Sequence, residues 1–263
     1  MRRLVVLSLA LIGLAAGARA APTGGGASLV VDHSIFQLRA GGKVLTSRDL
    51  VGATLETTGE DGLPATIRID AVSPAPERPA VLLHDFTTID AATGKTAPLC
   101  EADVKGRQVG FPVAGRWDAK GRLVKDPKVW FPVCTSGAQG KCILWGYDPW
   151  SRGPHGEDLA PLYEACIHMV RADYDGRGAP FTRDGTEIDV WDLAGIQTPD
   201  TLNDPRFAFE AGWGPKGAVC VARTRYADLL PRAILLQSAP RLGGACDEAA
   251  ARRRGALLFN RSR

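Results

Sequence analysis

Past residue 14 the chain has no apolar run near the roughly 20 residues that cross a bilayer as a helix, so its later sequence predicts no membrane span. It also lacks an H-x-H pair, HExxH, GxSxG and a phosphate-binding glycine loop. The four histidines, His33, His84, His155 and His168, are scattered without metal-ligand spacing. The local signatures of zinc hydrolases, serine hydrolases and nucleotide enzymes are therefore missing, and no cofactor is implied. Carboxylate chemistry stays open, because it needs no local signature. No internal repeat, low-complexity tract or strand–helix–strand rhythm is present, which argues against a Rossmann-type or barrel enzyme.

What is present begins with an export signal. Arg2 and Arg3 precede an apolar run from Leu4 to Leu14, and small residues end at Ala18-Arg19-Ala20. Residues 1–20 read as a signal peptide with cleavage after Ala20, and the run of about eleven apolar residues is too short for an anchor. The first cysteine is Cys100, so the apolar run is followed by no lipid-attachment cysteine. Taking away Arg2, Arg3 and Arg19 leaves 29 basic against 29 acidic residues. A neutral mature chain has no overall field to draw it to phosphates, and a nucleic-acid partner is not expected. The arginines at 252, 253, 254, 261 and 263 read as a solvated tail. Richness in Ala, Arg and Gly with little Lys suggests a bacterial source. The six cysteines Cys100, Cys134, Cys142, Cys166, Cys220 and Cys246 all lie in the mature part, where an oxidising compartment would pair them. Secretion or a periplasmic destination follows from the two signals together.

Residues 21–27 carry nothing to bury and read as a flexible leader. From Ser28 to about Asp70, short apolar runs alternate with Gly41-Gly42 and Asp61-Gly62, which is a hairpin pattern. Residues 73–79 hold three prolines and predict a surface loop, so residues 28–72 could be a β subdomain packed on 80–263. Strands resume at AVLLHDFTTI, QVGFPV, RLV and VWFPVC. The glycine-bearing loop 135–141 then suggests a hairpin returning through CILWGY, with Cys134 and Cys142 able to pair across its base. One main helix is predicted from Asp158 to Arg171, with Leu159, Leu162, Cys166, Met169 and Val170 on one side. A shorter helix follows near 247–254, then a last strand at ALLF. The fold class is α+β, β-rich, with antiparallel strands, one main helix, one shorter C-terminal helix and disulfide reinforcement.

The densest unusual stretch is ACIHMVRADYDGRGAPFTRDGTEIDVWDLAGIQ, residues 165–197. It contains Ala172-Asp173-Tyr174-Asp175 and, further on, Thr182-Arg183-Asp184-Gly185-Thr186. With KCILWGYDPW upstream and FEAGWGPKGAVCVARTR and GALLFNRS downstream, the chain resembles the bacterial ADYC-domain proteins over most of residues 28–263. That family is named for an Ala-Asp-Tyr-Cys tetrad, and here Asp175 stands in the cysteine's place. If relatives use that cysteine in a disulfide, this chain lacks the whole bridge, in keeping with its even count of six. The resemblance implies no established activity.

The residues of interest in this stretch are Arg171, Asp173, Tyr174, Thr182, Arg183, Asp184, Thr186 and Asp189. Arg171 or Arg183 with Asp173 or Asp184 could form a buried ion pair that fixes the connection. DYDGRGAPFTRD faintly echoes a calcium loop through Asp173, Asp175 and Asp184, although Arg177 sits where an oxygen ligand is wanted. Cys166 and His168 are two apart on a helix, about 200° around the axis, and cannot act as a pair. Trp117, Trp130, Trp145, Trp150, Trp191 and Trp213, with Tyr147 and Phe209, are core side chains or the lining of a groove for glycan or peptide. The expectation is an exported, non-enzymatic domain that binds a partner or surface component; the alternative is an extracellular hydrolase using carboxylates from 173–192.

Overall fold

The computed structural model describes residues 10–11, 27–58, 64–90, 92–117 and 123–263. The segments expected to be an export signal and a leader therefore lie almost wholly outside the described residues, as does the Asp61-Gly62 turn. The chain divides into two units, 1–140 and 141–263.

In the first unit the strands are β1 (Ala10–Leu11), β2 (Ser28–Asp32), β3 (Ile35–Ala40), β4 (Lys43–Thr46), β5 (Thr54–Thr58), β6 (Pro64–Pro74), β7 (Leu82–Ile89), β8 (Thr96–Pro98), β9 (Gly110–Ala114), β10 (Arg116–Trp117), β11 (Leu123–Val124) and β12 (Trp130–Cys134). β2, β3 and β4 form a meander, and Gly41 and Gly42 both take positive φ in the turn that the Gly-Gly pair predicts. The large antiparallel sheet runs β1-β5-β6-β7-β9-β12, with β8 beside β7. Its core alternates as half-buried strands must: Leu55, Ile67, Ile69, Phe86, Phe111, Val113 and Trp130 are inside. β6 continues through Ser73 to Pro74, so the loop expected at 73–79 begins two residues late. Cys100 and Cys134 are bridged.

After β12 the chain does not return as a strand. Residues Ala138–Leu144 form helix α1, which corrects the hairpin expected through CILWGY. The glycines there serve close approach: a Cβ on Gly140 would stand 2.3 Å from the Cys134 carbonyl oxygen. The helix also separates Cys134 from Cys142, which do not pair with each other.

The second unit holds α2 (Ala160–Arg171), β13 (Ile188–Asp192), β14 (Ala208–Gly214), β15 (Gly217–Val221), α3 (Arg232–Ser238), α4 (Glu248–Arg253) and β16 (Leu258–Ser262). Among the described residues four α-helices thus replace the two expected; α1 and α3, of seven residues each, are too short to show a periodic face. The antiparallel sheet runs β13-β16-β14-β15, so the last strand of the chain lies inside it. The Tyr174, Trp213 and Asn260 side chains belong to the face on which α2 packs. α4 covers the other face, against Trp191, Cys220 and Phe259. Gly212 permits that approach, since a Cβ there would come within 2.4 Å of the Ala251 Cβ. Cys142–Cys166 joins α1 to α2, and Cys220–Cys246 ties β15 to the segment entering α4. All six cysteines are paired. No helix among the described residues is long and apolar enough to cross a membrane.

Candidate functional site

The segment singled out in the sequence leaves α2 through a left-handed residue. Ala172 has φ 50°, and its N–H and that of Asp173 donate back to the Met169 and His168 carbonyls, closing the last turn. This reversal drives Asp173 and Tyr174 inward. Asp173 is almost fully buried: Oδ2 accepts from Gly178 N–H at 2.8 Å and lies 2.9 Å from His168 Nδ1, while Oδ1 has no partner. His168 keeps 15% of its side chain exposed. Asp175 turns back on the Arg177 N–H, and its carbonyl accepts from Arg241. Gly176, at φ 75°, lets the chain pass so near β15's turn that a Cβ would sit 2.2 Å from the Lys216 carbonyl oxygen.

Tyr174 leads to the charged centre of the unit. Its ring stacks on Trp213 with centroids 5.3 Å apart, and its hydroxyl donates to Glu210 Oε1 at 3.0 Å. Glu210 sits where β14 slips register against β16, between Phe209 and Ala211, and this bulge turns its carboxylate into the core. Arg225 answers it, with Nε to Oε2 at 3.0 Å and Nη2 to Oε1 at 3.1 Å. The remaining guanidinium protons go to the Met169 and Val170 carbonyls and to Thr182 Oγ1, so all five donors are used. Asn260 donates to Glu210 Oε2 and accepts from Trp213 Nε1. Arg225 and Glu210 side chains are 1% and 0% exposed, and such a pair is tolerable only because every charge is met. Burial, followed by the negative charge of Glu210, pushes the Tyr174 hydroxyl well above the ordinary tyrosine range.

The other carboxylates hold loops. Asp189 accepts from the Asp200 and Thr201 N–H groups and the Thr201 hydroxyl. Burial raises its pKa, but these donors outweigh burial and hold it below the ordinary value. Asp192 accepts from the N–H groups of Ala194, Ile196 and Gln197 and from the Tyr147 hydroxyl. Asp184 is exposed in a turn.

The ion pairing expected between Arg171 or Arg183 and Asp173 or Asp184 takes other partners. Arg183 pairs with Asp228 and lies over the Tyr226 ring, Arg171 donates to the Gly178 carbonyl, and Asp173 faces His168. Thr186 bridges the Arg183 carbonyl and Tyr226. Glu210, Arg225 and Asn260 were missed as a centre, although a lone Glu in FAFEAGWG and the two arginines, Arg223 and Arg225, in CVARTRY are the kind of charge an apolar strand must have a reason to carry. Among the described residues no three His, Cys, Asp or Glu side chains converge to hold a metal ion: Asp173 faces His168 and the Gly178 N–H, Asp175 turns to Arg177, and Asp184 is exposed. Of the aromatic set, Trp130, Trp213 and Tyr147 are fully buried and Trp191 nearly so, while Trp145 and Trp150 are partly exposed.

Residues 47–227 match the ADYC domain, well over half of the chain. The chain belongs to the ADYC domain family. No curated protein and no solved structure matches it. The matched stretch of this ADYC domain includes the tetrad, Glu210 and Arg225, whereas Asn260 and Cys246 lie beyond it. Three disulfides are compatible with an extracellular or periplasmic place.

Proposed function

We propose that this ADYC domain is an exported, non-enzymatic protein that binds a component of the cell envelope or exterior. The observation that carries the proposal is the use of the family motif: Asp173, Tyr174 and Thr182 are spent on internal hydrogen bonds, and Asp189 and Asp192 on backbone N–H groups. Residues committed in this way build a rigid platform and leave recognition to its surface. Trp145 and Trp150, partly exposed beside the motif in sequence, are the aromatic side chains we assign to contact with a glycan or peptide.

One observation favours the hydrolase alternative. His168 has Nδ1 held by the buried carboxylate of Asp173, the arrangement by which an acid fixes an imidazole as a general base. The test joins both: cosedimentation of the mature chain with isolated envelope fragments, and a screen of ester, glycoside and peptide substrates. Retention that falls in Trp145→Ala or Trp150→Ala, without turnover, supports the binding protein. Turnover lost in His168→Ala and Asp173→Asn overturns it in favour of the hydrolase.

A further inference from the structure

The β2–β4 meander precedes the stretch that matches the family, and it is joined to the large sheet of the first unit through an aromatic plug. Phe36, fully buried on β3, meets His84 and Phe86 of β7 at 5.6 and 6.4 Å and Trp130 of β12 at 4.8 Å, each edge to face. His84 lies flat on Phe86, with centroids 5.2 Å apart. Beside the plug the Leu82 N–H donates to Ser34 Oγ, and the Val31 N–H donates to the Pro127 carbonyl.

His84 is fully buried and has one hydrogen-bond partner, the Leu82 carbonyl at 3.0 Å from Nδ1. A carbonyl only accepts, so the proton sits on Nδ1 and Nε2 is a bare lone pair. Nε2 is buried and meets no partner. The neighbours that face the ring are Phe36 from β3, Phe86 from its own strand, Val72 across from it on β6 and Gly110 across from it on β9, none of them titratable. Asp85, next along β7, is exposed, as alternation along the strand requires. A proton on Nε2 would put an unpaired N–H and a full charge into an aromatic core.

We propose that His84 is an acid latch, whose protonation at Nε2 releases the meander 28–46 from the large sheet while that sheet keeps its fold. The meander is the part that yields because it is a separate sheet, docked mainly by side chains, whereas β5, β6 and β7 are joined by ladders, as are β9 and β12, β7 meets β9 at the His84–Gly110 pair, and the Cys100–Cys134 bridge ties β12 to the segment after β8. Phenylalanine or leucine would fill the same place without this sensitivity. Burial lowers the imidazole from 6.5 to about 4 in the docked state. The docked form therefore has its full advantage above pH 6.5 and loses up to about tenfold per pH unit on the way down to 4.

Amide hydrogen exchange on the mature chain, corrected for intrinsic rates, at pH 7.5, 5.5 and 4.5 tests this. The expected result is at least a tenfold loss of protection in 28–46 at pH 4.5, with β6, β7 and β12 unchanged and the loss absent in His84→Leu. Should His84→Leu not fold, the wild-type imidazole nitrogens are followed by NMR, and His84 must gain its proton in step with the loss of protection. Unchanged protection of 28–46, simultaneous loss across the large sheet, a pH step that survives His84→Leu, or protonation out of step each overturns the proposal.

Discussion

Arg225 donates five hydrogen bonds inside the second unit and has no water to fall back on, so its removal leaves Glu210 charged and uncompensated. Arg225→Leu is expected to cost about 3–5 kcal/mol, read as a shift in the denaturant midpoint. The double variant Arg225→Leu with Glu210→Leu should recover part of that loss, because it removes both charges. Asp189 works in the same manner on a smaller scale. Its pKa is held low, so its contribution is complete above the ordinary carboxylate range and is lost as the pH falls through its depressed value. Asp189→Asn should flatten that acid limb. Tyr174 was singled out from the motif, but only its position against Trp213 and Glu210 explains why a tyrosine is needed: a ring to stack and a hydroxyl to donate.

Elements carry a second kind of constraint. α4 can lie on β14 only because Gly212 has no side chain, and Gly212→Val should displace the helix and destabilise the unit by several kcal/mol through overpacking, measured by thermal unfolding. The Cys220–Cys246 bridge, with 26 residues of separation, closes the chain between β15 and α4. Replacing both cysteines by alanine is expected to cost about 3.5 kcal/mol from the regained freedom of the unfolded chain, measured in the same denaturant titration. α2 was legible because twelve residues suffice to show an apolar stripe, and α4 because Asp247 is a good cap whose carboxylate accepts from Ala250 N–H. The sequence reads as half of a hairpin at α1 because Gly137 and Gly140 look like turn residues. In the fold Gly140 instead allows a helix to start against the Cys134 carbonyl.

At the scale of the whole molecule the disulfide count is the simplest check. The non-reduced protein should weigh six hydrogens less than the reduced form, with no free thiol. Composition and order along the chain determined the β-rich character, the antiparallel pairing, the main helix, the family and the cysteine chemistry, because each follows from local periodicity, turn residues or motif order. Tertiary structure decided which cysteine meets which, since pairing depends on Cα atoms brought to 5.4–5.9 Å from 24–34 residues apart. It also decided that the charged centre joins Tyr174, Glu210, Arg225 and Asn260. Those residues come from a loop after α2, a bulge in β14, the chain beyond β15 and the final strand. No spacing in the sequence brings them together; folding does, because a carboxylate turned inward by the bulge has to find its donors there.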